Sequence, residues 1–283
     1  MSASTSVPAD FADRVPAIIV PVSPRELGDV PGELEGAKGA HWIEWRIDAL
    51  EAMELEERLK VGRAIRAGTA LPVLATFRSV AQGGARDIDA LEYVELLLAI
   101  ASNRIADAVD VEMFSGTEWE ATHETPTRQG EASPACVHAE TPGGLARHGE
   151  SWSGPVPTID QLLVMLGEMR CTVVGSWHDF SSTPSSKEIE ERLVAMARHG
   201  ADFAKIAVTT RSPADLEALR DGANAARERG VERIIAIGMG EAGADSRIHP
   251  ENYASCATFV AGASASAPGQ LTIPQLNAAR MNR

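Results

Sequence analysis

Short apolar runs alternate with amphipathic segments along most of the chain. The first strand candidate is Ala17–Val22, closed by the proline-rich turn Pro21–Pro24. Glu33–Lys38 predicts a short helix and His41–Ile47 a second strand. An acidic amphipathic helix follows from Met53 to Ala67, ending near Gly68. Leu71–Phe77 reads as a third strand. Ile88–Ser102 reads as a helix with Leu91, Val94, Leu98 and Ile100 on its apolar face, and Ala108–Met113 as a fourth strand. The pattern then fails. Residues 117–157 are rich in Gly, Pro, Ser, Thr and His, too long for an ordinary connection, and predict an irregular insertion after the fourth strand.

Regularity returns with a helix over Ile159–Glu168, a fifth strand over Thr172–Ser176, a helix over Ser186–His199 and a sixth strand over Phe203–Val208. Ser212–Arg229 is a helix with Ser212 as N-cap, Pro213 in its first position and Gly230 just past its end. Arg233–Ile237 and Ala257–Val260 complete the strands, and Thr272–Arg283 predicts a final short helix. Eight strands separated by helices predict parallel pairing, because parallel neighbours need crossover connections. The expected architecture is α/β, a (β/α)8 TIM barrel formed by one domain over residues 1–283. An open doubly wound sheet is the rival, weakened by the lack of a GxGxxG fingerprint after the first strand and of a P-loop.

Composition narrows the function classes. Aromatic residues make up only 5%, so the core relies on Ala, Val, Ile and Leu. The formal net charge of −14 argues against a nucleic-acid partner, which needs clustered positive charge. A small anion remains compatible, because local arginines in a cleft outweigh a distant field. Cys136, Cys171 and Cys256 form no CxxC pair or disulfide framework. The polar N-terminus shows no signal-peptide core, and no apolar run reaches a membrane span, so a cytoplasmic protein without a membrane partner is expected.

Only four lysines stand against 22 arginines, and one of them, Lys205, lies inside the apolar run Phe203–Val208. Burying an ammonium is costly, and desolvation or a neighbouring cation would free its amine as a nucleophile. The plainer reading is a strand-end lysine whose head reaches solvent. His178 sits where the fifth strand gives way to its loop, the barrel end where active sites form, and histidine moves protons near neutral pH. Its plainer reading is a structural histidine bonded to Asp179 or to backbone. The two residues are 27 apart, about one α–β unit, so adjacent strands can aim both at one pocket. Arg46, Arg78 and Arg247 can receive a carboxylate. Ser266 and Gln270, in the loop after the eighth strand, can add neutral hydrogen bonds. The seven histidines show no HExxH spacing; His123, His138 and His148 all fall in the irregular insertion. The acidic run Glu51–Glu57 reads as a solvated helix face.

At this point the motifs resemble those of type I 3-dehydroquinate dehydratases. The similarities run in order through nearly the whole chain: Glu44-Trp45-Arg46-Ile47-Asp48, Thr76-Phe77-Arg78-Ser79, Asp110-Val111-Glu112, Ser176-Trp177-His178-Asp179-Phe180, Lys205-Ile206-Ala207-Val208, Ser246-Arg247 and Ser266-Ala267-Pro268-Gly269-Gln270. The resemblance implies a TIM barrel, commonly a homodimer, that needs no metal or nicotinamide cofactor. It implies reversible dehydration of 3-dehydroquinate to 3-dehydroshikimate in the shikimate pathway. Lys205 would form a Schiff base at C3, and His178 would take the C2 proton and later help protonate the departing hydroxyl. Arg247, Ser266 and Gln270 would hold the carboxylate and ring-hydroxyl end, while Glu44, Arg46 and Arg78 would form a polar wall.

Three departures stand out. Gln82 occupies the position where familiar members place a glutamate near the catalytic histidine. It can orient an imidazole but cannot stabilise imidazolium with a full charge, which predicts a lower His178 pKa or slower proton transfer. The insertion is longer than the family leads one to expect, and the N-terminus is short for the hairpin that precedes the barrel in familiar members. A Schiff-base aldolase and a catalytically silent relative binding a small hydroxy acid are the competing functions. The first explains His178, Arg247 and Gln270 poorly; the second is at odds with the presence of both Lys205 and His178.

Overall fold

The computed structural model describes residues 16–52, 54–113, 156–263 and 269–281. Eight strands are present: β1 (Ala17–Val22), β2 (Trp42–Arg46), β3 (Val73–Thr76), β4 (Ala108–Glu112), β5 (Thr172–Asp179), β6 (Phe203–Thr209), β7 (Ile234–Met239) and β8 (Ala257–Phe259). Every strand pairing is parallel, in the order β7-β6-β5-β4-β3-β2-β1-β8. β7 and β8 meet through an isolated bridge, Ile234 to Ser255, so the ring is nearly closed and its seam is held at one end. This is the (β/α)8 barrel expected from the alternation of strands and helices.

The helices between strands are α1 (Val30–Gly36), α2 (Leu55–Gly68), α3 (Ala90–Ser102), α4 (Ile159–Glu168), α5 (Ser186–Arg198), α6 (Pro213–Glu228) and α7 (Ala244–Ile248), and α8 (Ile273–Met281) follows β8. Their starts are written in the sequence. The side chains of Asp89, Thr158, Ser185 and Ser212 each accept a backbone N–H of the first turn, and Thr158 and Ser212 close reciprocal capping boxes. Gly230, just after α6, has φ +90°, the left-handed conformation of a helix stop.

Some boundaries differ from expectation. The first helix begins at Val30 rather than Glu33, because Pro31 falls in its first turn, where a missing N–H costs nothing. β5 continues to Asp179, so His178 belongs to the strand and not to the loop after it. Arg247 itself stands in the short helix α7. Residues 1–15 and nearly all of 117–157 lie outside the described residues, as do Cys136, His123, His138, His148 and Ser266. Cys171 and Cys256 are buried free thiols. Among the described residues no helix is long and apolar enough to cross a membrane.

Strand side chains alternate between two buried layers. Ile43 and Trp45 belong to the layer between sheet and helices, whereas Trp42 joins Ala17, Ile19, Leu74, Ala108 and Phe203 in a second cluster inside the barrel. The outer layer is tight: a Cβ on Gly62 of α2 would come within 2.6 Å of the Trp45 ring. Positions two residues further along the same strands form the site.

Candidate active site

Moving two residues up each strand changes the chemistry of the interior. Trp42 gives way to Glu44 and Arg46, Leu74 to Thr76 and then Arg78, Ala108 to Asp110 and Glu112, Val174 to Ser176 and His178, and Phe203 to Lys205. A cavity at this carboxyl end of the strands is lined by Glu44, Arg46, Arg78, His178, Lys205 and Arg247, with Gln82 and Gln270 beside them. Eight of the nine site residues expected from sequence therefore meet in one place. The ninth, Ser266, lies outside the described residues.

Lys205 is only 3% exposed, which excludes the reading in which its head reaches solvent. Its Nζ lies 3.4 Å from Glu44 Oε1 and 3.4 Å from Asp110 Oδ2. On another side it stands 4.4 Å from the centre of the Phe259 ring. β5 and β6 pair directly, with Ser176 opposite Lys205 and His178 opposite Ala207, so the histidine sits one inward position beyond the lysine on the neighbouring strand.

The polar wall is a buried ionic network. Arg78 donates to Asp110 Oδ2 at 2.8 Å, to Glu112 Oε1 at 2.9 Å and to Ser176 Oγ at 3.0 Å. Burial opposes the charge on Arg78, but Asp110, Glu112 and Glu44 raise its pKa above the ordinary value. Burial likewise pushes the Asp110 carboxyl up, and Arg78, Lys205 and Ser176 bring it below its usual range. Arg46 makes a bidentate pair with Asp48 at 2.8 and 2.7 Å. Asp48 also accepts the backbone N–H groups of Arg78 and Ala85, tying the end of β2 to the loop that follows β3.

That loop carries Gln82, which is 3% exposed and whose Oε1 meets both the backbone nitrogen of His178 at 3.0 Å and its Nδ1 at 3.1 Å. A backbone N–H only donates, so the amide oxygen must face it. Nδ1 must then carry a proton to donate to the same oxygen, which leaves Nε2 with its lone pair. Gln82 Nε2 is buried with no hydrogen-bond partner among the described residues. Burial, then the charges of Arg78, Lys205 and Arg46, hold the His178 pKa well below its ordinary value. Gly83, at φ +83°, completes the loop; a Cβ there would fall 2.2 Å from the Phe180 ring at the mouth of the cavity.

Arg247 reaches the cavity from α7, in the connection between β7 and β8. It is fully buried, its Nη1 lies 3.5 Å from the Phe259 carbonyl oxygen, and burial pushes its guanidinium down to about 10. Asp179 does not join the network: its carboxylate accepts from Ser181 and Ser182 in the turn after β5. Sequence reasoning assigned no role to Asp48, Asp110, Glu112, Ser176 or Phe259. A signal was available for three of them. Asp110 and Glu112 are acidic residues with period two in an apolar strand, and Ser176 stands two positions before His178.

Comparison with known proteins follows the same lines. The family model for type I 3-dehydroquinase matches residues 18–131 and 155–281. The chain is 31% identical over 267 residues to a 3-dehydroquinate dehydratase of Clostridioides difficile, covering 93% of this chain and 89% of that protein. It is 30% identical over 269 residues to the Salmonella typhimurium 3-dehydroquinate dehydratase, with 93% and 91% covered. The crystal structure of a type I 3-dehydroquinate dehydratase from Clostridium difficile, which contains covalently modified comenic acid, superposes with a TM-score of 0.75 at 28% identity, covering 95% of this chain and 92% of that one. A Geobacillus kaustophilus 3-dehydroquinate dehydratase superposes with a TM-score of 0.75 at 26% identity, covering 94% and 90%. With fold and sequence matching along most of its length, the chain belongs to the type I 3-dehydroquinase family, carbon–oxygen lyases that dehydrate 3-dehydroquinate.

Proposed function

We propose that the chain dehydrates 3-dehydroquinate through a Schiff base on Lys205, with His178 as the proton-transfer group. The observation that carries this reading is the pairing of a buried amine with a neutral imidazole on adjacent strands of one cavity. The Lys205 amine adds to the C3 carbonyl, whose oxygen leaves as water, and the nitrogen becomes a cationic iminium. His178 Nε2 takes the C2 proton, and the C–H electrons move toward the iminium. Their return expels the C1 hydroxyl, which receives a proton from His178 and departs as water. Hydrolysis of the conjugated iminium releases 3-dehydroshikimate and restores the lysine.

Arg247 takes the substrate carboxylate in this reading. Its guanidinium lines the cavity in a buried setting that opposes its charge, and a bound carboxylate would offset that penalty. Gln270 and Ser266 complete the carboxylate and hydroxyl end. Glu44, held by Thr76 Oγ1 at 3.0 Å, faces both the lysine and the cavity. The covalently modified comenic acid in the C. difficile relative supports covalent chemistry in the family. The same reading takes residues 1–283 as one barrel domain with an insertion at 117–157, acting in the cytoplasm as a homodimer. The buried free thiols fit a reducing compartment.

Incubation of the purified protein with 3-dehydroquinate, following enone absorbance and trapping with borohydride, tests the reading. Turnover with a reduced adduct on Lys205 is expected. Turnover with no adduct would reject the Schiff base. An adduct without turnover would favour a silent relative, and failure of both in folded protein would remove the substrate assignment.

A further inference from the structure

We propose that Asp110 is the fixed counter-ion of Lys205, a positioning residue that holds the lysine nitrogen in place and favours its cationic forms. This rests on Lys205 acting as the Schiff-base nucleophile. The two carboxylates near Nζ are not equivalent. Asp110 is fully buried, and both its oxygens are anchored: Oδ1 accepts from Ser176 Oγ at 2.6 Å, and Oδ2 accepts from Arg78 Nη2 at 2.8 Å. The lysine stands 3.4 Å from that same Oδ2. Glu44, by contrast, has a hydrogen bond from Thr76 and lines the open cavity, where a substrate would reach it. Asp110 is therefore the carboxylate whose position does not depend on what occupies the site.

The other groups around Nζ leave this charge balance to the two acids. The segment after β3 supplies Arg78, β5 supplies His178, β2 supplies Arg46 beyond Glu44, and α7 supplies Arg247 on the cavity wall. Arg78 bonds Glu112 as well as Asp110, Arg46 is paired with Asp48, and His178 is neutral. Across the barrel, β7 presents Ile235 and Ile237, and β8 presents the Phe259 ring. The resting ammonium and the iminium both place one positive charge on the same nitrogen. The free amine between them is the form that leaves the carboxylates uncompensated. Asp110 thus holds the nitrogen where the covalent cation forms and stabilises that cation, so the network need not rearrange between the two.

Reductive methylation with formaldehyde and cyanoborohydride reads the free-amine fraction of Lys205 without any substrate. Peptide mass spectrometry resolves all four lysines, and the exposed Lys38, Lys60 and Lys187 serve as internal controls. Asp110→Asn is expected to speed Lys205 labelling by roughly tenfold near neutral pH, the size of one lost charge partner at this range. The two proteins should converge at high pH, where the amine is free in both. A rate raised equally at every pH would show local opening instead and overturn the proposal, as would an unchanged rate. Should Asp110→Asn fail to fold, Ser176→Ala removes one anchor, and a smaller acceleration of the same sign is expected; no acceleration overturns the proposal. In turnover, Asp110→Asn should lower kcat by about tenfold or more, with KM changed less. An unchanged kcat would remove the iminium half of the idea. Labelling tests the Asp110–Lys205 coupling and borohydride trapping tests the Schiff base, so failure of one is distinguishable from failure of the other.

Discussion

Trp42 and Glu44, Leu74 and Thr76, Ala108 and Asp110, Phe203 and Lys205 are pairs two residues apart on the same strands, yet they divide the barrel interior into two unlike layers. The floor is an apolar plug of Trp42, Leu74, Ala108, Phe203 and Ala257. The mouth is a set of ions that neutralise one another: Arg78 with Asp110 and Glu112, Arg46 with Asp48, and Lys205 between Glu44 and Asp110. Floor residues stabilise by leaving water and filling space. Mouth residues are costly to desolvate, and their mutual attraction repays that cost only while every partner is present. The difference teaches where to look for each kind of damage. Substitution in the floor should cost stability alone, whereas substitution in the mouth should cost chemistry as well as the stability lost by the partners left behind.

The sharpest way to break this division is Lys205→Met. Turnover is expected to fall on the order of 10⁴-fold or more with loss of the borohydride-trapped adduct, because no other group in the cavity can form the imine. Thermal unfolding should show the fold intact; retention of adduct on this variant would contradict the site. His178→Gln comes next, with kcat down by about 10²–10⁴ and adduct formation retained, since proton transfer follows imine formation. Loss of trapping together with turnover would place His178 in the earlier step.

Phe203→Ala tests the floor. It should cost about 3 kcal/mol in denaturant unfolding, the lower end for deleting a buried phenyl, with kcat per folded molecule little changed. A large fall in kcat without loss of stability would dissolve the distinction between the layers.

Gln82→Glu is the subtlest. A carboxylate in place of the oxygen 3.1 Å from Nδ1 favours imidazolium, opposing the burial and the Arg78, Lys205 and Arg46 charges that now depress the His178 pKa. A base must be neutral, so the acid limb of the pH–kcat profile should move to higher pH by about one unit. An unchanged limb would mean that the Gln82 oxygen orients the ring without tuning its charge.

The chain's own pattern carried much of this. Short apolar runs marked the eight strands, and Ser212 with Pro213 marked a helix start, because caps are local chemistry. Lys205 and His178 were legible as polar groups in or beside apolar strands, and the order of short motifs gave the family. Less legible was where β5 ends: the polar run Trp177-His178-Asp179 reads as a loop, yet pairing with β6 through Asp179 keeps it extended. Asp48 was also hidden, since its role is to accept backbone N–H groups from Arg78 and Ala85, 30 and 37 residues away.

What the sequence alone determined is local: strand and cap positions, the scarcity of lysine, and the family to which the motifs belong. What the tertiary structure decided is who faces whom. Only the nearly closed ring brings Asp110, Glu44 and Phe259 from three different strands around one nitrogen. Only the loop after β3 aims the Gln82 oxygen at both the backbone N–H and Nδ1 of His178 and so selects its tautomer. Charge and proton position depend on distances of 3 to 4 Å between residues far apart in the chain, and no local pattern encodes such distances.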